Sequence, residues 1–148
     1  VLTSDQSQLY SQRIKLADPD NAIVLPEIIS KEPLGPVVRQ GDGEWFNIVK
    51  WTLFALINAE ELAVTTTNID DLKKNTDNPE IKRLLSTEGE VNKSLNLSPE
   101  WSYNAIKQVG NYGEIFERNI GKATPLKIER GVNALWTQGG ILYAPPIR

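Results

Sequence analysis

Chemistry performed by side chains needs nucleophiles, bases or metal ligands at workable spacing, and this chain is poor in all three. It contains no His and no Cys. That excludes Ser-His-Asp and Cys-His catalysis, the usual zinc sites and a histidine pH switch. Carboxylates, lysines and tyrosines remain. Glu60-Glu61 and Asp70-Asp71 are adjacent pairs, which on a helix point about 100° apart and cannot jointly grip one substrate. Asp18-Pro19-Asp20-Asn21 clusters oxygens but lacks the Gly and the closing Glu of a calcium loop, so it reads as a turn. Gly41-Asp42-Gly43 precedes a helix but lacks the third Gly and the Lys-Ser/Thr pair of a phosphate loop. Asn92-Lys93-Ser94 and Asn96-Leu97-Ser98 match the glycosylation acceptor pattern, which is frequent by chance. The expectation is therefore no enzyme, no cofactor and no metal site. A carboxylate hydrolase would need two facing carboxylates in one pocket, and no pair stands out. Asp5 is the residue to watch. It follows the apolar stretch 1–4 and would emerge at the carboxyl end of a strand, where open α/β sheets place their ligands. Its carboxylate could pair with a ligand ammonium, or it could cap a helix beginning at Gln6.

Such residues can act only if the chain folds around them, and the composition says that it does. Of 148 residues, 40% are apolar and 24% charged, the profile of a globular chain. The net charge is −3. The densest basic pairs, Lys73-Lys74 and Lys82-Arg83, sit among Asp70, Asp71, Asp77 and Glu80, so no basic face for nucleic acid emerges. The longest apolar run, 53–59, is interrupted by Asn58 and is far short of the ~20 residues a membrane span requires. No basic-then-apolar leader stands at the start, and the chain has no Met at all. Starting at Val1, it reads as a processed, trimmed or domain-cut product.

The elements follow from local chemistry. Residues 1–4, 22–25 and 34–39 read as extended segments, the last an edge or crossover strand because Pro36 cannot donate to a ladder. Residues 6–16 have loose helical spacing. Asp42 is expected to cap a helix whose apolar residues, from Trp45 to Ile57, cover most of its circumference, so burial along its length is predicted. Asn68 is expected to cap a short helix through Asn75. Asn78-Pro79 and Ser98-Pro99 each pair a cap residue with Pro at the first helical position. The helix after Ser98 should stop at Gly110, and the next, 111–120, at Gly121 as a left-handed stop. A last helix is expected over 126–138, closed by Gly139-Gly140, with the tail 143–146 lying extended over the surface.

Two long stretches carry a family resemblance. PEIISKEPLGPVVRQGD (26–42), followed by Trp45-Phe46 and WTLFALINAEE (51–61), is similar to the carboxyl-terminal part of periplasmic amino-acid-binding proteins of ABC transporters, in the general L-amino-acid branch. IKQVGNYGEIFERN (106–119), NALW (133–136), Gly139-Gly140 and YAPPIR (143–148) extend the likeness to the last residue. The resemblance implies an α/β fold of two lobes joined by crossover strands, of which this chain holds a helix-rich part with a few short strands. On that template residues 1–27 end the second lobe, 28–34 form the crossover or hinge, and 35–148 return to the first lobe with its helical extension. The family's carboxylate after a second-lobe strand, with a Tyr five residues on, matches Asp5 and Tyr10, and implies that Asp5 receives the α-ammonium of an L-amino acid. The family's Arg grip on the α-carboxylate, and the signal peptide of the precursor, would lie upstream of Val1. Arg39 does not match that grip. The resemblance further implies a periplasmic location, delivery to permease subunits of an ABC transporter, and no embedding in the membrane. A chain matching about 40% of a two-domain protein is expected to bind amino acids weakly by itself. The competing expectation is a stand-alone helical interaction module without a transport role.

Overall fold

The computed structural model describes residues 1–85 and 91–147, with the side chain of Val91 left aside. Arg148, the last residue of the closing motif, lies outside the described residues. The chain divides into two compact units, one of Val1–Pro36 and Phe116–Arg130, the other of Val37–Ile115 and Gly131–Arg148.

In the first unit the regular structure begins with α1 (Gln6–Arg13) and a single 3-10 turn, Pro19–Asn21. The turn forms as its composition predicts. Asn21 Nδ2 donates to Asp18 Oδ2 at 2.5 Å, Arg13 Nε donates to the Pro19 carbonyl at 3.0 Å, and Arg13 reaches Asp20 at 3.6 Å. Residues 1–4, 22–25 and 34–39 are not strands. A strand exists only as a member of a hydrogen-bonded ladder, and these segments find no ladder partner among the described residues. Many of their large apolar side chains stay exposed, with Ile23, Leu25, Leu34 and Val37 among them. Among the described residues the chain's β structure is one isolated bridge, Leu135 to Leu142, in the second unit.

The second unit is built on α2 (Gly43–Glu61). Asp42 starts it as expected, its Oδ1 accepting the Trp45 N–H at 2.9 Å. The helix is not buried along its length. Trp45 and Phe46 are half exposed, and burial begins only at Ala55, continuing through Leu56, Ile57, Asn58 and Ala59. An all-round apolar sequence permits burial, but only neighbours supply it. The helix closes at Leu62 with a Schellman pair: Ala63 N–H bonds the Glu60 carbonyl at 3.1 Å and Val64 N–H the Ala59 carbonyl at 2.8 Å. The left-handed position of that closure is held by Ala63, at φ 54°, where Gly is the usual occupant.

Beyond it come α3 (Ile69–Asn75), α4 (Pro79–Leu84), α5 (Val91–Ser94), α6 (Trp101–Val109) and α7 (Tyr112–Asn119), the division between units falling inside α7. Asn78 caps α4 with Pro79 behind it, its Oδ1 accepting the Glu80 N–H at 2.8 Å. Asn68 precedes α3 without capping it. Its amide instead ties the preceding loop, accepting from Thr65 N–H at 2.7 Å and donating to the Ala63 carbonyl at 2.9 Å. The helix expected after Ser98-Pro99 begins later, at Trp101, and stops at Gly110 (φ 83°) as predicted.

Ala55, Ala59, Val64, Ile69, Ile81, Leu84, Leu85, Leu95, Trp101, Ile106 and Ile147 form one continuous core among α2, α3, α4 and α6. Burying each of its aliphatic side chains of Val size or larger is worth roughly 1.5–3 kcal/mol, which makes this core the main source of stability in the unit. The Ser102 hydroxyl, buried within it, donates to the Leu84 carbonyl and so satisfies the end of α4.

Three expectations about the chain's last third are corrected. Residues 126–138 are not a helix but hold two short 3-10 turns, Gly131–Asn133 and Trp136–Gln138. Lys127 and Gly131 both take positive φ (51° each), which a right-handed helix cannot accommodate. Gly121 is not a left-handed stop. It is needed for room: a Cβ there would fall 2.5 Å from Glu117 Oε2 and 2.6 Å from Glu117 Cα. Nor does the tail merely lie over the surface, since Ala144 and Ile147 are buried and Ile147 joins the main core.

Candidate functional site

Asp5 occupies the position before α1. Its backbone is extended (φ −55°, ψ 142°) and its carbonyl accepts the Leu9 N–H at 2.9 Å, so the main chain enters the helix there. The side chain makes no capping bond. Of the two roles open to Asp5, the cap is therefore the one its carboxylate does not perform. The half-buried carboxylate has no hydrogen-bond or ion-pair partner among the described residues, leaving its oxygens available to accept from an ammonium. Ser4, one residue before, is engaged with Gln8 at 2.7 Å. Tyr10 lies on α1, half buried.

The remaining candidates are held by structural bonds. Asp42 is committed to capping α2, and Gly41 (φ 88°) makes the turn before it, so Gly41-Asp42-Gly43 is a helix entry and not a phosphate cradle. The adjacent carboxylates diverge as helix geometry requires. Asp70 accepts from Tyr103 Oη at 2.6 Å and from Lys107 Nζ, whereas Asp71 accepts from Asn75 Nδ2 at 2.6 Å. The hydrogen bonds from Lys107 and Tyr103 hold the Asp70 carboxyl below the usual carboxylate range, and the same bonds raise Lys107 and Tyr103. Beside them Lys73 pairs with Glu100 and lies 3.9 Å from the Tyr103 ring centroid. This cluster joins α3 to α6 with its charges mutually matched. No group of three or more Asp or Glu that could hold a metal ion occurs among the described residues. No helix among them is long and apolar enough to cross a membrane.

Two polar arrangements lie outside the expectations drawn from the sequence. Glu114 accepts from Asn111 N–H at 2.9 Å, while Asn111 Oδ1 accepts from Glu114 N–H at 2.8 Å, a reciprocal capping box at the start of α7. Its signature, Asn111 followed three residues later by Glu114, is visible in the sequence. The same carboxylate also takes the Thr66 N–H at 3.2 Å and the Thr66 hydroxyl at 2.7 Å, fixing the loop after α2. Gly110 makes room for this, since a Cβ there would fall 2.8 Å from Glu114 Cβ. Asn58, buried on α2, donates from Nδ2 to the carbonyls of Phe54 and Pro145, each at 2.9 Å. The only sequence signal for that second bond is a polar residue inside an apolar run.

No protein-family model matches the chain. Individual proteins do, along its whole length. It is 61% identical to the general L-amino acid-binding periplasmic protein AapJ of Rhizobium johnstonii, covering 100% of this chain and 44% of AapJ. It is 51% identical to the glutamate/glutamine/aspartate/asparagine-binding protein BztA of Rhodobacter capsulatus, covering 99% of this chain and 43% of BztA. Its fold superposes with a TM-score of 0.91 and 54% identity on an ABC transporter periplasmic binding protein from Brucella ovis with glutathione bound, over 98% of this chain and 46% of that one. The chain thus spans less than half the length of the relatives it matches.

Proposed function

Since the chain is built, end to end, like part of an amino-acid-binding periplasmic protein of the ABC transporter class, we propose that it serves as part of such a solute-binding component. In this reading it contributes to capture of L-amino acids in the periplasm and their delivery to permease subunits. Asp5 receives the ligand's α-ammonium, residues 1–27 belong to one lobe, 28–34 to the crossover and 35–148 to the other lobe. Capture would be a population shift toward a closed arrangement of lobes about the crossover, without covalent chemistry. The observation that carries the reading of Asp5 is its uncommitted carboxylate: it stands at a helix entry yet makes no cap.

The relatives' ligands narrow the chemistry. Amino acids of several side chains, and glutathione, share one feature, a free α-ammonium and α-carboxylate on the same carbon. In glutathione the γ-glutamyl end supplies it, as a glutamine whose side-chain amide is extended. This supports a ligand range that includes γ-glutamyl compounds besides free amino acids. Calorimetry on the full protein encoded by the gene, with L-glutamine, L-glutamate, L-leucine and glutathione, tests the proposal. Asp5→Asn should weaken every ligand by about tenfold to a hundredfold, since it removes a charge-assisted bond worth ~1.5–3 kcal/mol. Unchanged affinity in Asp5→Asn would exclude Asp5 from the site, and no binding of any of the four would overturn the function. The 148 residues alone should bind these ligands far more weakly.

A further inference from the structure

Residues 131–144 form a compact loop whose two sides differ sharply. Ala134, Leu135 and Ala144 are buried, while Val132, Trp136, Ile141 and Tyr143 are exposed by 44%, 50%, 73% and 68%. The exposure is not that of a loose segment. Ile141 N–H bonds the Val132 carbonyl at 2.9 Å, Leu142 N–H the Ala134 carbonyl at 3.1 Å, and Trp136 N–H the Leu142 carbonyl at 3.0 Å. Gly140 packs so closely that a Cβ would fall 1.9 Å from the Ala134 carbonyl oxygen. Trp136 and Tyr143 stand edge to face, centroids 5.8 Å apart. Four large apolar side chains are thus held outward on a rigid support, the arrangement that interfaces favour because little entropy is lost on docking.

The electrostatics select the occupant. Residues 131–147 carry no charged side chain. The indole Nε1 of Trp136 donates to Glu61 Oε1 at 3.1 Å, which brings the patch against the carboxyl end of α2. That end holds Glu60 and Glu61 and the negative pole of a 19-residue helix. A carboxylate beside two aromatic faces suits a guanidinium or ammonium group, which can bond the one and lie over the others. We propose that this loop, with Glu61, is a docking surface for a basic, Arg-bearing segment of a protein partner. Anionic lipid is disfavoured by Glu61 and by the negative helix end.

The test uses the full gene-encoded protein labelled with 15N, in which each tryptophan contributes its own indole N–H resonance. The probes are an Arg-Leu-Arg-containing peptide, its Glu-Leu-Glu counterpart, and phosphatidylcholine vesicles. The Arg peptide should shift the Trp136 indole resonance saturably, about tenfold more weakly in Glu61→Gln and again more weakly in Tyr143→Ala, with the shift reduced at high salt. Both side chains are exposed, so neither variant threatens the fold. Equal response to the acidic peptide, an unchanged response in Glu61→Gln, or no response at millimolar peptide would overturn the proposal. A Trp136 response to vesicles alone would overturn it in favour of a lipid surface. Amino-acid affinity, measured on the same samples, reports separately on the transport reading.

Discussion

Replacing Asn58 with Leu keeps the approximate volume and apolar character of its surroundings on α2 but removes both donors. The Phe54 carbonyl loses little, because it also lies within the helix's own ladder. The Pro145 carbonyl loses the side-chain partner that ties it to α2. Leaving such a partly buried acceptor unpaired costs up to about 1–3 kcal/mol. A further loss follows if the tail loosens, because Ala144 and Ile147 are buried on either side of that carbonyl, at 5% and 7% exposure. Truncating a buried Ile costs about 2–5 kcal/mol, so complete release of the tail would approach the upper figure. The expected total is therefore about 2–4 kcal/mol, between loss of one bond and loss of the whole anchor. Urea denaturation followed by far-ultraviolet circular dichroism gives the total, and amide exchange at residues 142–147 shows where it arises. Ile147→Ala in the same background should add less than it does alone, because both substitutions weaken one anchor. If Asn58→Leu changed stability by less than about 0.5 kcal/mol, the bond to Pro145 would be incidental and the reasoning would fail.

Ala63→Gly should stabilise the protein by up to about 1 kcal/mol, because Ala63 sits at a left-handed φ that glycine adopts without steric cost; thermal melting measures it. Gly140→Ala should be destabilising by about 3 kcal/mol or more and should also scramble the Trp136 environment, seen as a change in indole emission, since the new methyl meets backbone that cannot move aside. The folded-state pKa of Asp70 is depressed by its bonds to Lys107 and Tyr103, so its contribution to stability is fully present above the ordinary Asp value of about 4 and is lost as pH falls through the depressed one. Asp70→Asn should accordingly lower the urea midpoint at pH 7, and the gap to wild type should close as the pH is taken down through that range.

What could be read from the sequence divides by distance along the chain. Asp42, Asn78-Pro79 and Gly110 were legible because a cap bonds groups two or three residues away, or needs only a residue free to take positive φ. The capping box of Asn111 and Glu114 was equally local and could have been found. The Glu114 bond to Thr66 and the Asn58 bond to Pro145 join residues 48 and 87 apart, and nothing local signals them. The extended segments of the first forty residues form no ladder among the described residues because β-branched composition expresses a capacity to pair, whereas pairing requires a partner strand. Over 126–138 apolar spacing suggested a helix, but two positive φ values and the close approach of Gly140 to Ala134 turn the chain instead. For Asp5, local chemistry leaves a cap and a ligand contact open; the side chain makes no cap bond, and the ligand contact is the proposal that calorimetry on Asp5→Asn tests.

The inward anchoring of residues 144–147 also bears on the order of events in biosynthesis. Helices α2, α3, α4 and α6 are all made before the segment that supplies Ile147 to their shared core and accepts the Asn58 bond. During translation that core has an open place, with Asn58 lacking its Pro145 partner, until the segment has left the ribosome. Folding of this unit is therefore gated by the last of its residues to emerge, and nascent chains stalled before residue 144 should remain susceptible to proteases that the released protein resists.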